Sequence, residues 1–378
     1  MAKITYNLNG GSLLGKEVKF TFEAKTGHYD VVVLPLCDKE GYVFTGWYNE
    51  KGERILAVYK NETVEAHFVE IKGIDEKSGK AYQYCGRCPQ NKIEITDDVI
   101  LEALKSANYR KYFNHVVKYQ HKAFFTIDPI KWIILGEEED NYLAIAEKVL
   151  DIRQYDQYRY MNDQFNAEKD QLQGLSNAEK VKQVVEIVSK GSDARLSLLN
   201  EDVYMFSNKD KERMAKSIER GNDPIFILEV KDFENPKFFK ETQLAGPAPS
   251  RVAYPTDYAL NCATINAVCY ATLGVDGSTW YWTSSSMLKW KTVVLKKNAF
   301  GLTNEQLDKV AAKLPGNTAH HNYSNAMVVG EDPDKENDLA YYIDFMWDAK
   351  KQENTGSISY IFKDYHFGGV RPGILFKK

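Results

Sequence analysis

Residues 278–290, "STWYWTSSSMLKW", and residues 365–378, "YHFGGVRPGILFKK", decide the fold. The first places Trp280, Tyr281 and Trp282 in a strand-like run, the densest tryptophan cluster of the chain. The second sets a Gly-Gly pair before Val370, Arg371 and Pro372. Both are read as parts of one folded module. Nearby, "YYIDFMWD" alternates Tyr341, Ile343, Phe345 and Trp347, and "SISYIF" alternates Ile358, Tyr360 and Phe362, so the last quarter reads as strands.

Working back, "FFTIDPIKWIIL" (124–135) is strand-like and "GEEED" (136–140) reads as a hairpin turn. Helical material follows. Ser176 and Glu179 have capping-box spacing, "NKDKERMAKSIE" (208–219) reads as a helix ending at Gly221, and Thr303 with Gln306 repeats the box before a helix that ends ahead of Pro315. Residues 1–70 read as a small β unit: Ile4, Tyr6 and Leu8 alternate, Asn9-Gly10-Gly11 breaks the run, and Val64, Ala66 and Phe68 alternate again. "GYVFTGWY" (41–48) reads as a tight aromatic β-turn unit. Residues 71–121 read as a partly helical connector, with Thr96-Asp97-Asp98 as a helix start. From about 122 onward, strands at both ends with helices between them predict an α+β fold in which the first and last strands of the larger unit pair. The larger unit spans 122–378, with an insertion around 153–195.

With 378 residues, 49 Lys and Arg against 53 Asp and Glu, and a net charge of −4, the chain offers no general electrostatic footprint for nucleic acid. No apolar run reaches the roughly 18 residues that cross a bilayer, so no membrane-spanning segment is expected. "MAKITYNLNGGS" has no apolar signal region. The 24 tyrosines suit both half-buried strand positions and a rigid contact surface.

"ITYNLNGGS" (4–12) followed by "LPLCDKEGYVFTGWYNEKGERI" (34–55) resembles the B-repeat of internalin-type bacterial surface proteins, a small β-grasp-like module used as a stalk or spacer. From 129 onward the ordered series "PIKWIILGEEEDNYLAIAEKVLD", "ARLSLLNEDVYMFSNKDKERMAKSI", "DPIFILEVKDF", "AYPTDYALNCA", "WYWTSSS" and "GGVRPGILF" is similar to a bacterial domain family of unassigned function, with a WWLRSP and GVRPALW type signature. Leu198 stands where that family has Trp, and "TSS" replaces its "LRS". The ending also resembles C-type-lectin-like folds, including formylglycine-generating-enzyme-like and retroelement-diversified binding proteins. These resemblances imply a large lectin-like α+β domain in a surface or secreted protein. They also imply that the Trp strand and the Gly-Gly-Val-Arg-Pro strand are core neighbours, with irregular segments beside them facing outward.

The function expected is non-enzymatic binding of an extracellular glycan or protein. The alternatives are a phage or retroelement-diversified receptor-binding protein, and an oxidase on the formylglycine-generating scaffold. Candidate ligand contacts are Trp290, Trp347, Tyr365 and His366, each weighed against simple core packing. Arg371 reads as a buried structural arginine paired with a carboxylate or carbonyls.

No catalytic residue, metal or cofactor is expected. Ser284 to Ser286 lack a nucleophile-elbow context. His320-His321 reads as surface loop, and Asp332, Asp334, Glu336 and Asp338 fail the calcium-loop requirements at Asn337 and Ile343. The five cysteines, at 37, 85, 88, 262 and 269, do not make a complete disulfide framework. Cys85 and Cys88 stay open between an incidental pair, a local disulfide and a metal site, although zinc needs four ligands. The oxidase scaffold needs a cysteine pair near its active site. Cys262 and Cys269 lie outside the region that matches that scaffold's active site and read as buried apolar residues.

Overall fold

The alternation in the first seventy residues folds as nine strands: β1 (Ile4–Asn7), β2 (Ser12–Leu14), β3 (Val18–Ala24), β4 (Gly27–Val33), β5 (Leu36–Asp38), β6 (Tyr42–Tyr48), β7 (Arg54–Ile55), β8 (Ala57–Val58) and β9 (Glu62–Glu70). A computed structural model describes residues 3–119, 123–154, 204–218, 220, 224–242, 248–265, 276–286 and 367–378. It also describes strand segments at 293–296, 319–323, 326–329, 339–343, 347–348, 353–354 and 358–362, and the residues 175–176, 178–179, 182, 303, 305 and 309.

The nine strands form sheets in the orders β1-β9-β6-β7, β3-β4-β8 and β2-β5. β1 and β9 pair in parallel, and Val64 and Ala66 of β9 are fully buried, as their alternation requires. "GYVFTGWY" is corrected from turn to strand. Residues 42–48 pair with β9, with a bulge between Phe44 and Gly46 absorbing the break in alternation. Trp47 is buried and donates its indole N–H to Pro35 O at 2.6 Å, so the polar edge of the ring is satisfied.

The expected connector is also corrected. Residues 71–121 do hold a helix, Asp98–Lys105, capped by Asp97, whose side chain accepts from the N–H groups of Val99 and Ile100. They also hold β10 (Lys72–Ile74), β11 (Ala81–Ile93) and β12 (Val116–Tyr119). The thirteen-residue β11 hid from periodicity because bulges at Tyr84/Arg87 and Pro89/Asn91 shift its register. The helix packs Val99, Ile100, Ala103 and Leu104 into one core with Val31, Val33, Leu56 and Ala57 of the first unit, so the two segments share a core.

Strands β13 (Ala123–Glu138) and β14 (Asn141–Ala146) form the expected hairpin, turned with Glu139 at φ 53°. β15 (Asp151–Gln154) follows, then β16 (Met214–Ala215), β17 (Ile225–Ile227), β18 (Tyr281–Ser286), β19 (Val293–Lys296), β20 (Ala319–Tyr323), β21 (Ala326–Val329), β22 (Leu339–Ile343), β23 (Trp347–Asp348), β24 (Glu353–Asn354), β25 (Ile358–Phe362), β26 (Phe367–Val370) and β27 (Pro372–Lys377). The fold is strand-rich α+β. The helix expected over 208–219 stops at Arg213, because Met214 and Ala215 pair with Phe376 and Leu375 of β27 instead. His320 and His321 lie in β20 and pair toward β21 rather than in a loop.

The main sheet runs β10-β11-β13-β14-β27-β16, with β12 on β13 and β17 on β27. It is buried on both faces, which explains its near-continuous apolar strands. Ile130 and Trp132 of β13, Ala144 and Ala146 of β14, and Ile374 and Phe376 of β27 fill one layer. The alternate residues Ile133, Leu135, Leu143, Ile145 and Leu375 fill the other, against Phe233, Phe238 and Phe239. The pairing of terminal strands is corrected by one position. β27 lies against β14, β16 and β17, while β13 is separated from it by β14. The tight turn lays β14 along β13, so the free edge offered to the tail belongs to β14. Trp282 and Val370 do share one core.

Candidate functional site

The second sheet, β15-β26-β18-β22-β25, is built around Gly368 and Gly369. A Cβ on Gly368 would run into the Trp280 ring and lie 2.6 Å from Trp282 Nε1. A Cβ on Gly369 would lie 2.7 Å from both Trp280 O and Val149 Cγ1. Only hydrogen side chains let β26 lie against the two rings, which meet edge-to-face at 4.7 Å. Trp280 and Trp282 enter one layer of the core and Tyr281 the other.

Arg371 ties this seam to the main sheet. It is 6% exposed, and donates to Ala146 O at 2.8 Å, Tyr281 Oη at 3.1 Å and Arg251 O at 3.3 Å. Tyr281 Oη in turn donates to Arg251 O at 2.6 Å. The expected structural arginine therefore takes carbonyls and a hydroxyl. Burial raises the Tyr281 pKa above its ordinary value, keeping the phenol as a donor.

Of the four candidate ligand residues, Trp290, Tyr365 and His366 lie outside the described residues. Trp347 lies in the β23–β24 hairpin and pairs with Asn354. The strands that flank these positions are described, and their ends lie at opposite ends of the second sheet. Ser286, the last residue before the segment holding Trp290, pairs with Ala340 at one end of the second sheet. Ile343, which leads to Trp347, pairs with Tyr281 and Ile358, and Tyr281 pairs with Gly369 of β26, so Phe367, which follows Tyr365 and His366, is at that opposite end.

A polar cluster that sequence reading missed joins the first unit to the main sheet. Arg54 reaches Asp128 at 2.7 Å and Thr126 Oγ1 at 3.1 Å. Asp128 also accepts from Asn91 at 2.7 Å and Thr126 at 2.6 Å. Arg87 donates to Phe44 O and Ile127 O, spanning the two units. Gly46 has φ 151°, and a Cβ there would lie 2.7 Å from Arg54 Nε, so this glycine makes room for the guanidinium. Burial, together with the Arg54 charge, pulls the Arg87 pKa down against the pull of Asp128. Burial first, then Arg54 and Arg87, brings His115 down to about 4. The side chains of Arg54, Arg87 and His115 border a cavity of about 20 Å³ walled by Leu34, Phe44 and Leu56. That is space for a small guest.

Cys37, Cys85 and Cys88 are buried free thiols and Cys262 is buried, and burial raises the pKa of Cys85 and Cys88, which disfavours the thiolate form. Cys269 lies outside the described residues, as do the acidic positions 332–338 up to Asp338. Among the described residues no group of three or more His, Cys, Asp or Glu is placed to hold a metal, and no helix is long and apolar enough to cross a membrane. Comparison with protein families, curated proteins and solved structures finds no match to the chain.

Proposed function

We propose that the chain is a non-enzymatic ligand-binding protein of the bacterial surface or secreted fraction. In this reading its larger unit is a lectin-like α+β domain and its first seventy residues are a β-grasp-like spacer. The observation that carries the reading is the seam between β18 and β26. Two buried tryptophans over a Gly-Gly pair, pinned by Arg371, make a rigid wall from whose strand ends the longer segments depart. Recognition proteins commonly set variable loops on such walls. The parallel β1–β9 pairing sets Ile4 beside Glu62 and leaves Glu70 at the far end of β9, so the chain enters and leaves the first unit at opposite ends, which supports the spacer reading.

The ligand proposed is an extracellular glycan or protein, bound at the sheet end that carries Trp347 and leads in from Tyr365 and His366. Trp290, flanked by the opposite end, is proposed to stand outside that face. The test is a glycan array and an extracellular-protein binding panel on the full chain, with each hit titrated against Trp347→Ala, Tyr365→Ala, His366→Ala and Trp290→Ala. A contact residue is expected to weaken binding at least tenfold, and Trp290→Ala less than twofold. Absence of any binder, or affinities unchanged in the first three variants, rejects the reading.

A further inference from the structure

We propose that the cavity between the first unit and the main sheet binds a small inorganic anion of chloride size, held by Arg54, Arg87 and His115. Asp128 is the carboxylate of this cluster, and its oxygens are already engaged by Arg54, Asn91 and Thr126. Arg87 is left with two carbonyl partners, and among the described residues no carboxylate lies within ion-pair distance of it. Asp210, the other carboxylate whose charge reaches Arg87, is itself paired with Arg213 at 2.6 Å, so Arg54 and Arg87 against Asp128 leave an excess positive charge beside apolar walls, where a mobile counter-ion gains most. The Phe44 and Ile127 carbonyls that anchor Arg87 belong to residues bordering the same cavity, which fixes the guanidinium at its rim.

The cavity is small, about 20 Å³, and a single monatomic ion is the guest proposed. An ion there would touch residues of both units, Arg54 from β7 and Arg87 from β11, and so act as a clasp between them. This inference is independent of the ligand reading above.

The test is thermal unfolding of the full chain in sodium gluconate, with chloride or bromide substituted at constant ionic strength. A saturable rise in midpoint is expected. At ten times the dissociation constant, the folded-to-unfolded ratio rises about tenfold. Arg87→Met is expected to abolish the response. No halide response in the parent, or a response retained in Arg87→Met, overturns the proposal. Should that variant fail to fold, crystals of the parent grown in bromide decide the matter. An anomalous peak between Arg54 and Arg87 supports the site, and a water in its place overturns it.

Discussion

The seam at Gly368-Gly369 and the junction at Gly46 solve one problem with opposite chemistry. Each uses glycine to let a large planar group lie on a neighbouring backbone. At the seam the groups are indole rings, and the contact is close-packed within the apolar core. At the junction the group is a guanidinium, and the contact is held by charge and hydrogen bonds around a small cavity. Close-packed apolar contacts tolerate no added volume. Buried ion pairs tolerate small volume changes but not the loss of one partner. The seam should therefore respond to size, and the junction to charge and pH.

The largest effect is expected at the seam. Gly369→Ala should destabilise the chain by about 3 kcal/mol through overpacking, read as a lowered midpoint in denaturant unfolding. A cost below 1 kcal/mol would mean that the wall yields. Next comes Asp128→Ala, which strands Arg54 beside Arg87. Because Arg54 is partly exposed, the expected cost is about 2 kcal/mol rather than the full value for a buried pair. Hydrogen exchange should speed up in β6 and β7 and stay unchanged in β18. Uniform acceleration would show that the two regions unfold as one.

Acid should separate them further. His115 has its folded pKa lowered from 6.5 to about 4, with Arg54, Arg87 and Asp128 the charges around it. Its neutral form is favoured by folding, so its contribution is complete above about pH 6.5 and disappears as pH falls toward 4. The full shift corresponds to about 3 kcal/mol; because His115 is only half-buried, solvent screening cuts the expected loss to about 1–2 kcal/mol, and His115→Gln should flatten that limb of the pH–stability curve. The smallest effect is expected for Lys209→Ala, which removes an exposed ion pair to Asp38 at 3.0 Å. Its cost should stay within 0.5 kcal/mol, or roughly the scatter of such measurements.

These two regions were not equally legible in sequence. The seam was visible because its signals are local: three consecutive aromatics at 280–282 and a glycine pair shortly before Arg371. The β13–β14 hairpin and the buried face of β9 were visible for the same reason. The junction was not, because Arg54, Arg87, His115 and Asp128 come from four separate segments, and charges brought together only by tertiary structure leave no periodic trace. β11 was missed because two bulges interrupt its alternation. The candidate face was half legible. Flanking strands arrange its ends, but three of its four residues lie outside the described part of the chain.

Arg371 donates to Ala146 across 225 residues of sequence, and β27 closes the edge of β14 over a similar span. At a synthesis rate of roughly 5–20 residues per second, β14 would wait on the order of 10–45 s for its partner. Through that interval a bare apolar edge is open to wrong pairing, so holdase assistance during translation should decide the yield of this protein more than the stability of its finished form.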